Sequence, residues 1–145
     1  RIDLQVEVDS VKYDDLIADG TEEPSAKVKE RVEAARAVQR ERFSSDGIRT
    51  NANMGERQIK KYCRLSTECE SVLRNAFETL HLSARARSRI IKVARTIADL
   101  DFSSEIKPQH ILEAAAWTVI CYDRIFGGRA ERHSFRQLFR PDIQV

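Results

Sequence analysis

Residues 82–101 read LSARARSRIIKVARTIADLD, and this stretch determines the expected fold. Ser83 is a favoured residue at the N-terminal cap of a helix, and the apolar residues behind it recur with helical spacing. Arg85 falls in the first turn of the predicted helix. A first turn has backbone N–H groups without partners in the helix and lies at the positive end of the helix dipole, so with Arg85 it makes a site suited to a phosphate.

Helix-forming residues also dominate the rest of the chain, because only five glycines and three prolines interrupt its 145 residues. We therefore predict an all-α domain, a bundle of about four to five helices. A long helix is predicted that is capped by Ser25 and reaches about Phe43. Its apolar residues follow a 3.6-residue period and are expected to face the core: Val28, Val32, Ala35, Val38 and Phe43.

Three further helices are predicted around the one that begins after Ser83. One spans about 55–63, with Ile59 facing the core, and the next is capped by Ser66 and spans about 67–80. Pro108 suits the first position of the last helix.

The two ends of the chain differ from this helical part. Residues 2–8, IDLQVEV, alternate with period two and predict a strand, and residues 18–24 read as a polar linker. One strand cannot form a sheet alone, and the chain begins without Met, so we expect residues 1–24 to be the end of a preceding domain in a longer protein. The helical domain would span 25–126, and the tail 127–145 shows no period and is expected to be loosely ordered.

Charge is unevenly distributed along the chain. Residues 1–23 carry eight acidic and two basic residues, a net of −6, whereas residues 24–95 carry seventeen basic and eight acidic residues, a net of +9. The basic part could face the phosphates of a nucleotide or of DNA, contact another subunit, or be a solvated helix surface. It lacks interleaved aromatic residues, which argues against a stacking site for single strands. The residues of this basic band are Lys27, Lys29, Arg31, Arg36, Arg40, Arg42, Arg57, Lys60, Lys61 and Arg64.

Several classes of function are excluded by what the sequence lacks. Three cysteines without CxxC spacing and three scattered histidines form neither a disulfide framework nor a metal site. The five glycines give no phosphate-cradling loop, so the chain alone should not hydrolyse ATP, and no cofactor is expected for it alone. No apolar run approaches the roughly 20 residues of a membrane span, so no membrane partner is expected.

Several motifs in unbroken order resemble those of one known family. They read RIDLQVEV, SAKVKERVEAARAVQRERF, GIRTNANM, QIKKYCRL, LSARARSRIIKVARTIADLD and IKPQHILEA. Over about residues 1–115 they resemble the C-terminal part of the magnesium-chelatase-like AAA+ ATPases, and the bacterial competence-associated branch more closely than the chelatase subunit of chlorophyll synthesis. Residues 117–124 depart from the family pattern, and the tail has no counterpart in it.

The resemblance implies that the helical domain is the lid of an ATPase core in the same chain. In the parent protein the core would bind ATP and Mg²⁺, and the lid would close over the nucleotide. Arg85 falls where the family has its sensor-2 arginine, which would stabilise charge on the γ-phosphate. Ser83 and Arg89 lie beside it and would help to bind the nucleotide, whereas Arg87 and Arg95 are expected on the surface.

The resemblance also implies partners. Arg1, at the end of an LDRID-like motif, would be an arginine finger that reaches the ATP of a neighbouring subunit in a hexameric ring. The ring would act on DNA in the cytoplasm, during transformation or recombination. Two alternatives remain open: the lid of a magnesium-chelatase ATPase subunit, and a stand-alone helix-turn-helix-like DNA-binding module made of helices 67–80 and 83–100.

Overall fold

A computed structural model describes residues 23–79 and 82–126, and every regular element in these ranges is helical. The predicted all-α bundle is therefore confirmed. The predicted strand at 2–8, the linker before residue 23, Arg1 and the tail 127–145 lie outside the described residues. The elements are α1 (Ser25–Arg42), a 3₁₀ turn (Asn51–Asn53), α2 (Glu56–Tyr62), α3 (Thr67–Thr79), α4 (Ala84–Leu100) and α5 (Pro108–Phe126).

The helix starts follow the predicted chemistry at α3, α4 and α5. Ser66 Oγ accepts a hydrogen bond from the backbone N–H of Cys69 at 3.2 Å, and Ser83 Oγ accepts one from Ala86 at 3.4 Å. Pro108 is the first residue of α5. These caps satisfy backbone donors that the first turn leaves without partners, so they fix where α3 and α4 begin.

The start of α1 differs from the prediction by one residue. Pro24 is the N-terminal cap and Ser25 is already helical, and no side chain caps this end. The carbonyl of Pro24 accepts the N–H of Lys27 at 2.9 Å. The proline ring holds Pro24 at a φ of −61°, which suits the residue that leads into a helix.

The core lies where α5 packs against both α4 and α3. Small residues at the α4–α5 contact let the two backbones approach closely, since Ala94, Ala98, Ala114 and Ala115 are completely buried. Isoleucines fill the space around them, and each contributes about 1.5–3 kcal/mol by burial. The helical spacing of apolar residues after Ser83 predicts a buried face on α4, and Ile90, Ile91, Ala94 and Ala98 are buried there while Ile97 is partly buried. Ile59 of α2 is buried as predicted.

The predicted core face of α1 is wrong over most of its length. Val28, Val32 and Val38 are 41%, 39% and 38% exposed, and only Ala35 and Phe43 of the predicted set are buried. Residues 25–33 are all exposed, so within the described part of the chain it is the later turns of α1 that pack on the bundle. Helical spacing indicates which face is apolar, and it carries no information on whether another element covers that face.

A buried polar cluster joins α1, the 3₁₀ turn and α4, and we call it the Asp99 cluster (Arg42, Asn51, Arg95 and Asp99). Asp99 Oδ2 accepts from Arg42 Nη1 at 2.7 Å and from Asn51 Nδ2 at 2.8 Å. Asp99 Oδ1 accepts from Arg95 Nε at 3.0 Å and from the second terminal nitrogen of Arg42. The surface position predicted for Arg95 is wrong, because its side chain is 4% exposed. Arg42 likewise leaves the basic band and turns inward to this carboxylate.

Further hydrogen bonds extend the cluster in two directions. The backbone N–H of Asn51 donates to Gln39 Oε1 at 3.1 Å, which ties the 3₁₀ turn to α1. Arg95 donates to the carbonyls of Ser103 and Ser104 at 2.6 and 3.0 Å, which ties α4 to the turn that follows it. Because these bonds satisfy the buried groups, the cluster fixes α4 relative to α1.

The carboxyl group of Asp99 is held in its charged form. Burial acts to raise its pKa, but hydrogen bonds from Arg42 and Asn51 and the charges of Arg42 and Arg95 outweigh burial, so the pKa lies below its ordinary value. Asp99 is therefore ionised at neutral pH and balances one of the two guanidinium charges. The second positive charge lies at the carboxyl end of α4, where the helix dipole is negative.

Candidate functional site

A surface cleft of about 1300 Å³ runs along α4. The 3₁₀ turn and α2 line one side of this cleft, and α5 lines the other. Its walls carry both charged and apolar side chains, which makes it suited to a ligand with a polar and an apolar part. The lining residues are Ala52, Glu56, Ala84, Arg85, Ser88, Arg89, Lys92, Val93, Thr96, Ile97, Leu100, Glu113 and Trp117.

Arg85 is exposed and lines the cleft at the start of α4. It is the second residue of the helix, directly after Ala84, and no acidic residue lies in the first turn. A cation at this end of a helix is opposed by the dipole, so Arg85 gains nothing from its own helix. Its guanidinium has five fixed donors that match the oxygens of a phosphate.

The structure brings two of the three predicted nucleotide-binding residues of α4 to the same cleft. Arg89 lies one turn after Arg85 and lines the cleft with it. Ser83 caps the helix through its hydroxyl oxygen and is not among the lining residues. Arg87 forms an ion pair with Glu70 of α3 at 3.5 Å, away from this face.

Among the cleft residues that sequence reasoning missed are Glu56, Ser88, Lys92 and Trp117. Ser88 Oγ donates to Glu56 Oε1 at 2.6 Å, and Lys92 Nζ donates to the carbonyl of Ala52 at 3.2 Å. Ser88 and Lys92 lie three and seven residues after Arg85, the spacing of one helix face. A helical projection from Arg85 would have found these two, whereas Glu56 and Trp117 come from other helices.

The two ends of the cleft differ in chemistry. Arg85, Arg89 and Lys92 give three positive charges on α4, and Glu56 and Glu113 give two negative charges on the walls. Val93, Ile97 and Leu100 supply apolar surface toward the later turns of α4, and Trp117 adds an aromatic ring from α5. The end near Arg85 can bind an anion, and the remainder can cover an apolar or aromatic group.

The remaining reactive side chains of the described residues do not form a catalytic centre. Burial raises the pKa of the Cys63 thiol to about 11, so the thiol is protonated at neutral pH and is a poor nucleophile. Cys69 is completely buried, and its thiol donates to the carbonyl of Ile106 at 3.2 Å. Among the described residues no group of three or more His, Cys, Asp or Glu side chains could hold a metal ion.

Several members of the basic band pair with neighbouring carboxylates. Arg31 contacts Glu23 at 2.6 Å and Lys61 contacts Asp46 at 3.2 Å. With Arg42 turned inward, the band is less positive than its sequence suggests. Within residues 23–79 and 82–126, no helix has both the length and the hydrophobicity needed to cross a lipid bilayer.

Residues 22–117 match the family model described as magnesium chelatase, subunit ChlI C-terminal. The match covers well over half of the chain and includes every residue that lines the cleft. The chain therefore belongs to this family, and the predicted resemblance to magnesium-chelatase-like proteins is confirmed.

Curated relatives agree with this assignment. The chain is 36% identical over 118 residues to competence protein ComM of Haemophilus influenzae. These residues are 81% of this chain and 22% of the relative. It is 42% identical over 98 residues to the uncharacterized protein YifB of Escherichia coli, 68% of this chain and 19% of the relative. It is 33% identical over 101 residues to the uncharacterized protein Rv2897c of Mycobacterium tuberculosis. These residues are 69% of this chain and 20% of the relative. The chain thus spans about a fifth of the length of these relatives.

Proposed function

We propose that this chain is the helical lid of an AAA+ ATPase and that Arg85 acts as its sensor-2 residue. The observation that carries the proposal is the exposed guanidinium of Arg85 at the mouth of the cleft on α4. Arg89 and Lys92 share this cleft, so the positive charge is concentrated where a triphosphate would lie. Membership in the magnesium chelatase C-terminal family supports the assignment.

The proposed role of Arg85 is electrostatic. Its donors would stabilise the charge that develops on the γ-phosphate during hydrolysis. The guanidinium of Arg85 suits phosphate oxygens and not Mg²⁺, so the ATPase core would hold the metal ion together with most of the nucleotide. In the parent protein the core would therefore bind ATP and Mg²⁺, and the lid would contact the phosphate of the bound ATP.

The Asp99 cluster would make the lid move as one body. It fixes the carboxyl end of α4 to α1 and to the following turn. A rotation of the bundle would therefore carry Arg85 toward or away from the phosphate without local rearrangement, which couples the nucleotide state to the position of the lid.

The test is Arg85→Ala in the full-length protein. We expect near-normal ATP binding and a turnover number lower by roughly 100–1000-fold, the range for the loss of one preorganised charge donor. Arg74→Ala is the matched control, because Arg74 is an exposed arginine on α3 that does not line the cleft. Unchanged hydrolysis in Arg85→Ala, or an equal loss in Arg74→Ala, would exclude Arg85 from the mechanism.

We further propose that the parent protein works in the cytoplasm on DNA, within a hexameric ring. A competence protein among the relatives supports this role, and the exposed part of the basic band could contact DNA phosphates. Arg1 would reach the ATP of the neighbouring subunit. Stimulation of the full-length ATPase by DNA, weakening with salt, is the expected result.

The second candidate is the ATPase subunit of a magnesium chelatase. The description of the matching family model favours it, since that description names the chelatase subunit ChlI. Stimulation of ATP hydrolysis by a porphyrin-binding partner, with no response to DNA, would select this candidate over the first.

A further inference from the structure

The carboxylate of Glu56 forms a bridge between two walls of the cleft. Glu56 is the first residue of α2, and its Oε1 accepts a hydrogen bond from Ser88 Oγ of α4 at 2.6 Å. The two residues are 32 positions apart in sequence, so the contact depends on how α2 packs beside α4. Both residues line the cleft together with Arg85. An anionic group of the protein itself therefore lies in the cleft that we assign to a phosphate.

Ser88 belongs to the cationic face of α4. It follows Arg85 by three residues and precedes Lys92 by four. With 3.6 residues per turn, these three side chains lie within an arc of about 60° around the helix axis. All three line the cleft. An acceptor that is bonded to the hydroxyl of Ser88 is consequently held among cations, which is also where the oxygen of a bound phosphate would be stabilised.

The fold does not depend on this contact. The hydrogen bond between Ser88 and Glu56 is exposed, and exposed contacts of this kind contribute little to stability. The start of α2 is fixed separately, because Gln58 Oε1 accepts the backbone N–H of Gly55 at 3.1 Å. Lys92 Nζ donates to the carbonyl of Ala52 at 3.2 Å and so joins the same walls a second time. The carboxylate of Glu56 can therefore leave Ser88 while the wall stays in place.

We propose that Glu56 occupies the position of a phosphate group on α4, and that a phosphate which enters the cleft displaces it. The hydroxyl of Ser88 then donates its hydrogen bond to a phosphate oxygen, so that Ser88 becomes a ligand of the phosphate beside Arg85. This inference rests on the proposed function, since the phosphate is that of the nucleotide. A triphosphate carries more negative charge than one carboxylate and interacts more strongly with the cations of α4, so it prevails, and Glu56 lowers the affinity with which it binds.

The test is a titration of the 145-residue chain with inorganic triphosphate at low ionic strength, followed by the amide NMR signals of residues 85–92. Glu56→Gln removes the competing charge and should bind triphosphate about two- to fivefold more tightly, the range of an exposed interaction between charged groups. Glu56→Asp keeps the charge at the start of α2, but its side chain is one methylene shorter and does not reach Ser88. It should bind more tightly than the unaltered chain by about twofold.

Two further variants separate displacement from a general effect of charge. Glu113→Gln is the matched control, because Glu113 also lines the cleft and forms no hydrogen bond to α4 within the described residues. It should raise the affinity by less than Glu56→Gln does. Adding Ser88→Ala to Glu56→Gln should remove most of the gain, because the phosphate then loses the hydroxyl donor.

Four results would overturn the inference. They are an unchanged affinity in Glu56→Asp, an equal gain in Glu113→Gln and Glu56→Gln, no effect of Ser88→Ala in the Glu56→Gln chain, and amide signals of residues 85–92 that triphosphate does not shift. The proposed function is tested apart from these, by the turnover of Arg85→Ala in the full-length protein. Displacement of Glu56 can therefore fail in the binding measurement while Arg85 keeps its role in hydrolysis.

Discussion

The two ends of α4 each contain arginine, and they use it in opposite ways. At the carboxyl end, Arg95 is buried, and its donors are bound to Asp99 and to two carbonyls of the next turn. At the amino end, Arg85 is exposed in a cleft with Arg89 and Lys92. The two residues are ten positions apart, or about 15 Å along the axis.

The difference shows that the partner decides what an arginine does. A guanidinium that faces a buried carboxylate is committed to the fold, because removing either member leaves an uncompensated charge in the interior. A guanidinium that faces solvent at the positive end of a helix dipole contributes little to the stability of the fold. The same side chain is therefore structural at one end of α4 and available for a ligand at the other.

The largest expected effect comes from removing the carboxylate. Asp99→Ala should lower the free energy of unfolding by about 3–5 kcal/mol, because two buried guanidinium groups lose their counter-charge. Urea unfolding followed by circular dichroism measures this change. Glu105→Ala, an exposed carboxylate in the following turn, should stay within about 0.5 kcal/mol of the unaltered chain. A loss below about 1 kcal/mol in Asp99→Ala would mean that the cluster does not hold α4 in place.

A smaller effect is expected from acid. The pKa of Asp99 is lower in the folded chain than in the unfolded chain, so its contribution to stability is complete above the unfolded value of about 4 and is lost as pH falls through the folded value. Asp99→Asn cannot lose a proton. The difference in unfolding free energy between the unaltered chain and Asp99→Asn should therefore shrink below about pH 4. A difference independent of pH would contradict the charged state assigned to Asp99.

The smallest effect on stability is expected at the amino end. Arg85→Ala should change the free energy of unfolding by less than about 0.5 kcal/mol, with a slight gain because a cation is removed from the positive end of the dipole. The same variant is expected to slow hydrolysis strongly in the full-length protein. Thermal unfolding of Arg85→Ala beside the unaltered chain checks the first part, and a clear loss of stability would make Arg85 a structural residue like Arg95.

Much of the fold could be predicted from local signals. Ser66 predicts the start of α3, Ser83 the start of α4 and Pro108 the start of α5. These starts are predictable because a capping residue or a proline acts within one turn of its own position. The buried face of α4 follows from the spacing of Ile90, Ile91 and Ala94. The position of Arg85 in a cleft could be anticipated only in part, since the cleft also needs Glu56 and Trp117 from other helices.

The Asp99 cluster could not be predicted in the same way. Arg42 and Asp99 are 57 residues apart, and their pairing depends on how α1 crosses α4. Arg95 and Asp99 did offer a signal, because they are four residues apart on the face that also carries Ile91 and Ala98. When two opposite charges lie on the apolar face of a helix, a buried ion pair is a better prediction than two separate surface side chains. The exposure of Val28 and Val32 could not be foreseen, because periodicity does not report what lies opposite a face.

The composition of the Asp99 cluster has a consequence for how this sequence can vary. A substitution at Asn51 changes the surroundings of Arg42, Thr96 and Asp99 at once, and each of these in turn alters what is tolerated at the others. Mutations at these positions should therefore be strongly epistatic, with a double substitution less harmful than the sum of its parts. Transplanting this helical domain onto another scaffold would require the whole set to be moved together.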